Sequence, residues 1–472
     1  MSLRTLTGLI LSALIFICGT IDLNDLPDYN SQMVPSYILK DNTSGNFITN
    51  EGATLGRVLF YDKNLSVNNK VACASCHMQE FAFSDTALVS EGANDQTGRH
   101  SMRLINSRFA DETRFFWDER AASLEEQTTM PIRDHGEMGF SGSNGDPGFS
   151  DLLEKLDEID YYNELFFLVY GDTLITEARM QLALAQFIRS IQSFDSKYDI
   201  GRAQVNNDGA PFPNFTNNEN AGKNLFITPP QFDSNGLRTA GGLGCGGCHR
   251  PPEFDIDTNS GSNGVILAVG GGQGNLDTFI TRSPTLRDLL DPNGELNGPM
   301  MHNGQFNTIQ GVIQHYNSLP AFIQNPTLAL LLDPRLRPNG NPQQLNMTPQ
   351  ERGQLISFLQ TLTGSDVYTN PKWSNPFDSS GNINITGGQF TSVYESEKTE
   401  VQIFPNPASS TLNLKGIDAK AYLRIFDNNG KMLGEWNASA NRASINISSL
   451  KSGVYTLHVV DNSTRYFRFI KK

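Results

Sequence analysis

The sequence predicts a mainly α body followed by a small C-terminal β-sandwich, and three observations predict it. Between about residues 120 and 365, apolar residues recur at helical spacing behind capping residues. From Val401 the pattern changes to strand-like alternation, in TLNLK, AYLRIF, ASINIS, GVYTLHVV and RYFRFI. Charge changes at the same place. Residues Val401 to Lys472 carry ten basic and four acidic side chains, a net +6 that leaves −20 for the rest of a −14 chain. A shift of that size marks a separate module.

The elements follow in order. Ser123 opens a helix with a capping box closed by Glu126. Leu184, Phe187, Ile188 and Ile191 form one face of a helix from about Thr176 to Phe194. Thr308 caps a helix carrying Ile309, Val312, Ile313 and Tyr316. Thr348-Pro349-Gln350-Glu351 is a second capping box, with Pro at the first helical position. It leads Leu355, Phe358, Leu359 and Leu362 to a stop before Gly364. Asn370 to Glu400, rich in Asn, Gly, Ser and Pro, reads as a linker. In the tail, Asn429-Gly430 between two alternating runs is a hairpin signal.

Length and composition exclude several classes. At 472 residues the chain should hold two to four domains. A 38% hydrophobic content with 42 glycines is globular, against disorder throughout, collagen or coiled coil. An acidic chain is a poor nucleic-acid binder, because phosphate rewards Lys and Arg. Arg4 precedes an apolar run from Leu6 to Cys18, too short to span a bilayer, that fits a signal peptide over residues 1–20. Ile17 stands where a lipoprotein signal wants a small residue, so Cys18 is expected to leave with the peptide.

The other four cysteines sit in two motifs, Cys73-Ala74-Ser75-Cys76-His77 and Cys245-Gly246-Gly247-Cys248-His249. CxxCH is the attachment signature of c-type haem: two thiols add across the vinyl groups and the following imidazole meets the iron. A four-cysteine zinc site and a thioredoxin-type pair compete with it. Zinc needs no His directly after each pair, and both pairs have one. Met300 and Met301 lie in NGPMMHNGQF, a fitting place for an axial Met of the second haem, with the other Met filling core space. The body is thus expected to be two cytochrome c-like haem domains.

Residues about 50–365 resemble the bacterial dihaem cytochrome c peroxidases, a family that includes the dihaem enzymes maturing methylamine dehydrogenase. The resemblance rests on LGRVLFYDKNLS, CASCH, FAFSD, FFWDERAASLEEQ, PIRDHGEM, the second CxxCH, SPTLR and PMMHNGQF. The tail resembles the sorting domain of type IX secretion through FPNP, IFDNNGK, LKSGVY and FIKK. Together they imply an N-terminal linker at 21–49, a peroxidatic haem domain at 50–215 and an electron-transfer haem domain at 216–368. A linker at 369–400 and a sorting domain at 401–472 complete the chain. They also imply passage through the periplasm to the cell surface or medium by the type IX machinery.

The resemblance implies residue roles as well. His77 would bind the peroxidatic iron, and His249 with Met301 the electron-transfer iron. Trp117 matches the tryptophan between the haems, and Gln127 and Glu137, ten residues apart, match the distal pair. Splitting peroxide requires a proton moved from one oxygen to the other, which a carboxylate can carry, while an amide can hold the molecule without titrating. Two departures stand out. The position of the distal His of many members falls on Ala93, and His100 matches a calcium-ligating Asn. Of the interdomain calcium's implied ligands, the carbonyls of Arg282 and Pro284 remain. The expected reaction is reduction of hydrogen peroxide with electrons from a small cytochrome c or similar carrier, in a chain that can form a homodimer. A dihaem electron-transfer protein, a surface oxidase of organic substrates and a zinc-stabilised surface protein are the alternatives.

Overall fold

The computed structural model describes residues 19–387 and 401–472, apart from 112–113, 257, 259, 270–274, 279–281, 283, 320–327, 329, 418–419, 428–430, 439–441 and 461–463. The expected signal peptide with Cys18 and the Asn429-Gly430 turn lie outside the described residues. The chain divides into one unit ending at Gly388 and another beginning at Gln389.

The first unit is helical and holds two large cores. One is built on α1 (Asn50–Tyr61) against α6 (Glu177–Ser190), with Leu55, Leu59, Phe60, Leu184 and Phe187 inside it. The two helices touch backbone to backbone: a Cβ on Gly56 would lie 2.0 Å from the Ala183 carbonyl oxygen. Around this pair stand α3 (Leu124–Arg133), α4 (Phe149–Asp157) and α5 (Asp160–Tyr170). The second core repeats the device with α8 (Asn217–Ile227) and α10 (Pro349–Gln360), where a Cβ on Gly222 would lie 1.9 Å from the Gln354 carbonyl oxygen. Phe226, Phe254, Leu355 and Phe358 fill it, and α9 (Ile309–Asn317) borders it through Ile309 and Ile313. Cys73 packs against the first core and Cys245 against the second, so each CxxCH motif rests on its own interior.

Local signals hold with three differences. Thr308 and Thr348 cap as expected, and the Thr348–Glu351 box is complete. At α3 the Ser123 hydroxyl accepts from Glu126 N, but the Glu126 carboxylate turns to Ala122 N, one residue upstream. Helix α6 stops at Ser190 rather than Phe194. There Asn106 bonds both the N–H and the carbonyl of Ser193 and its own N–H reaches Ile191 O, so loop 106 takes over the backbone groups that another turn would use.

The third difference concerns the segments read as linkers. Residues 21–49 and 370–387 pack onto the helical unit. Strand β1 (Thr20–Asp22) pairs in parallel with β6 (Asn384–Thr386). Trp373 is 1% exposed and its indole N–H donates to Ser190 Oγ at the end of α6. Tyr29 is fully buried and donates to the Lys372 carbonyl. A short strand pair and buried aromatic anchors order these otherwise irregular polar stretches.

The second unit is all β. A four-stranded antiparallel sheet has the order β10 (Met432–Asn437), β9 (Tyr422–Phe426), β12 (Gly453–Val460), β13 (Thr464–Lys471). A three-stranded sheet has the order β11 (Arg442–Asn446), β8 (Thr411–Lys415), β7 (Gln402–Phe404). Alternate residues of both, including Leu412, Leu414, Leu423, Ile425, Leu457 and Val459, share one core.

Candidate active site

The first motif is a single helical turn, α2 (Cys73–Cys76), with the His77 N–H bonded to the Cys73 carbonyl at 3.0 Å. The chain then turns back through two residues with left-handed backbone, Ala82 (φ 55°) and Phe83 (φ 59°). That turn delivers the Phe83 carbonyl to His77 Nδ1 at 3.2 Å. A carbonyl on Nδ1 orients the ring and leaves Nε2 as the nitrogen for a metal. Burial holds the His77 pKa below its usual value, which keeps the imidazole neutral as a ligand must be. Burial also pushes the thiols up, Cys73 to about 12 and Cys76 to about 11. A redox-active CxxC pair needs the opposite shift, so the thioredoxin reading loses its chemistry here.

Cys73, Cys76 and His77 line a cavity of about 460 Å³ whose wall also carries Trp117, Gln127 and Glu137. Helix α3 supplies Gln127. Just beyond the helix, Asp134 Oδ1 accepts the N–H groups of Gly136 and Glu137 at 2.8 and 3.0 Å, fixing the loop that presents Glu137. Burial, seconded by the neighbouring Asp134 charge and opposed by Arg120, raises the Glu137 pKa to about 7. A carboxylate poised there can both take and give a proton near neutral pH. Ala93 lies against this loop, its N–H donating to the Glu137 carbonyl at 2.7 Å, and brings only a methyl group.

Trp117 is 8% exposed and is flanked by left-handed residues at Phe116 (φ 72°) and Glu119 (φ 55°). Its indole N–H donates to the His100 carbonyl at 2.8 Å, and its ring stands 6.3 Å from that of His302. His302 follows Met301, so Trp117 connects the cavity wall to the loop carrying the second axial candidate. Arg99 braces the junction, bonding Asp118 at 2.7 Å and Asp277 at 2.8 Å.

The second motif opens at Gly244 (φ 72°) and forms a short turn, Cys245–Gly247, before His249 enters strand β4 (His249–Arg250). Burial pushes Cys245 up to about 12 and His249 down to about 4, again a neutral imidazole. Met301 has a left-handed backbone (φ 72°), and the Asn263 side-chain amide donates to its sulfur at 3.2 Å. The same amide reaches the Tyr316 hydroxyl at 3.3 Å. Met300, by contrast, is 8% exposed within the second core. Asn263 is a residue that the sequence did not single out. A lone Asn in a Gly/Ser-rich loop carries no local mark.

The donor sets suit covalent haem, with a cysteine pair and a following neutral imidazole in each motif, a cavity at the first and a held thioether at the second. Among the described residues no cluster of three or more His, Cys, Asp or Glu side chains could hold a metal ion, so the four cysteines do not assemble a zinc site. All four are free of disulfides.

Residues 50–206 match the family model of the di-haem cytochrome c peroxidases, and residues 402–472 match that of the secretion system C-terminal sorting domain. Residues 50–206 thus carry a di-haem cytochrome c peroxidase domain. The tail is a type IX sorting domain, which places the protein at the cell surface or in the medium. The body is 29% identical to methylamine utilization protein MauG of Methylophilus methylotrophus, over 68% of this chain and 84% of that one. It is 26% identical to cytochrome c551 peroxidase of Nitrosomonas europaea, over 66% and 80%. A solved MauG-like protein associated with microbial copper homeostasis shares the fold, with a TM-score of 0.50 and 24% identity over 74% of this chain and 99% of its own. A di-haem cytochrome domain implies two c-type haems. No helix among the described residues is long and apolar enough to cross a membrane.

Proposed function

We propose that this chain reduces hydrogen peroxide to water at the cell surface or in the medium, drawing two electrons from a donor cytochrome c or similar carrier. The observation that carries this reading is the common cavity of His77, Gln127 and Glu137, with Glu137 held near pKa 7. A haem attached at Cys73 and Cys76 supplies the redox centre there. Glu137 takes a proton from one peroxide oxygen and returns it to the other, so that the second oxygen leaves as water. The Gln127 amide orients peroxide by hydrogen bonds and does not titrate. His249 and Met301 hold the electron-transfer haem, and Trp117 stands between the two sites. Two further protons and two electrons balance the reduction to two waters. The N-terminal apolar run serves as the signal peptide for export.

Steady-state peroxide turnover with and without pre-reduction, read beside the haem spectra, tests the proposal. With a methyl group at Ala93 in place of a capping imidazole, turnover should begin in the fully oxidised protein without a lag. Turnover that appears only after pre-reduction would contradict an open site. Spectra showing both haems low-spin and six-coordinate in every redox state would favour pure electron transfer instead. Oxidation of organic compounds without any donor cytochrome would favour a surface oxidase.

Met301→Ala should abolish the His/Met signature of one haem and lower its midpoint potential, because a thioether ligand favours the reduced iron. Redox titration of the variant checks this. Retention of the signature would move the ligand to Met300.

A further inference from the structure

Among the described residues Arg103 is a buried cation with no ion-pair partner. It is 9% exposed and lines the cavity of the first motif. One end of its guanidinium donates to the Thr285 carbonyl at 2.9 Å. Its Nε is buried with no hydrogen-bond partner among the described residues. The other arginines of the cavity wall are differently placed. Arg99 pairs with Asp118 and Asp277, Arg120 pairs with Asp118, and Arg282 donates to the Arg114 carbonyl. Asp288 acts on Arg103 only through space, with no hydrogen bond or ion pair joining the two side chains.

An isolated ion inside a protein costs several kcal/mol unless something pairs with it. A guanidinium presents its donors as a fork matched to a carboxylate. A haem brings two carboxylates, its propionates, into whatever cavity receives it. The position of Arg103 also matters electrically. Its charge is felt at His100 on the cavity wall and at His249 of the second motif.

We infer that Arg103 anchors a propionate of the haem attached at Cys73 and Cys76, and through that charge favours the reduced state of that haem. Reduction adds one negative charge to a haem, and a fixed cation beside it makes that addition easier. Removing the cation leaves the propionate uncompensated and opposes reduction. This inference rests on the two-haem reading and is independent of the reaction proposed above.

The test uses the full-length holoprotein. In Arg103→Gln, a pyridine haemochrome assay should still count two haems per chain; a count of none in the unaltered protein would instead defeat the haem reading itself. Spectroelectrochemical titration should show the reduced-to-oxidised ratio of the His77-ligated haem falling about tenfold at fixed potential, equivalent to 59 mV for one electron. Arg103→Lys should retain most of that ratio, because it keeps the charge. It should still shift the propionate bending bands in resonance Raman spectra, because it loses the fork. Unchanged potentials at both haems in Arg103→Gln would overturn the inference, as would a fall confined to the His249-ligated haem. If Arg103→Gln does not fold, unaltered propionate bands in Arg103→Lys would overturn it equally.

Discussion

Replacing Glu137 by Gln should cut peroxide turnover by roughly 10²–10⁴-fold, the usual worth of a positioned general acid–base, with both haems still attached. The substitution keeps the shape and the hydrogen-bonding reach of the side chain and removes only the titration. Because the base form must accept the first proton, turnover in the unaltered protein should rise with pH below about 7 and level off above it. Glu137→Gln should lose that inflection. Stability should move the other way. The folded-state pKa is raised from the ordinary 4.5 to about 7 by burial, so ionisation of Glu137 works against the fold. Its favourable contribution is fully present below the ordinary carboxylate pKa and is lost as pH rises through about 7. Above that pH the Gln variant should therefore melt at a higher temperature than the parent. Melting curves at pH 5 and pH 8 beside pH–rate profiles check both halves. Turnover unchanged in Glu137→Gln would remove this residue from proton transfer.

How far the sequence discloses this depends on the range of the interactions. The CxxCH motifs are legible because the proposed thioether attachment and iron ligation would be made by five consecutive residues. Caps such as Thr348 with Glu351 are legible because the partners lie three residues apart. The alternation of the tail is legible because strands β8, β9 and β12 bury every second residue. What escapes is held by distant partners. Tyr29 meets Lys372, Arg103 meets Thr285, and Asn263 meets Met301, and none of these pairs has a local pattern. The polar segments around Tyr29 and Trp373 read as linkers because composition averages over the few aromatic residues that anchor them, Tyr29 and Tyr37 in one and Trp373 and Phe377 in the other. Gln127, Glu137 and Trp117 are intermediate. Spacing alone leaves them an ordinary amide, a loop carboxylate and a core ring, and only the family resemblance picked them out before the cavity brought them together.

Asp199→Ala should be among the most destabilising single changes, costing about 3–5 kcal/mol, because it strips a fully buried Arg of its partner. Arg287, in the SPTLR motif, has no side-chain exposure, and its two terminal nitrogens meet the two oxygens of Asp199 at 2.9 Å each. The carboxylate is shared. It also accepts the Tyr37 hydroxyl at 2.8 Å and caps α7 (Lys197–Arg202) through Ser196 N and Oγ at 3.1 and 2.6 Å. The guanidinium reaches on to the Pro252 carbonyl at 2.8 Å, three residues after His249, and lies near the rings of Phe194, Tyr198 and Phe254. Breaking the pair thus leaves a charge in an aromatic cage and loosens the loop behind the second haem ligand. The combined variant Asp199→Ala, Arg287→Leu separates the causes. Replacing both members of a buried pair by apolar groups is often near neutral, whereas removing one is not. If charge burial dominates, the double variant should recover most of the stability lost by Asp199→Ala and regain the His249-ligated haem's spectrum. If it recovers none, the loss belongs to the Tyr37 bond and the α7 cap, and Asp199 acts there as an acceptor rather than as a counter-ion.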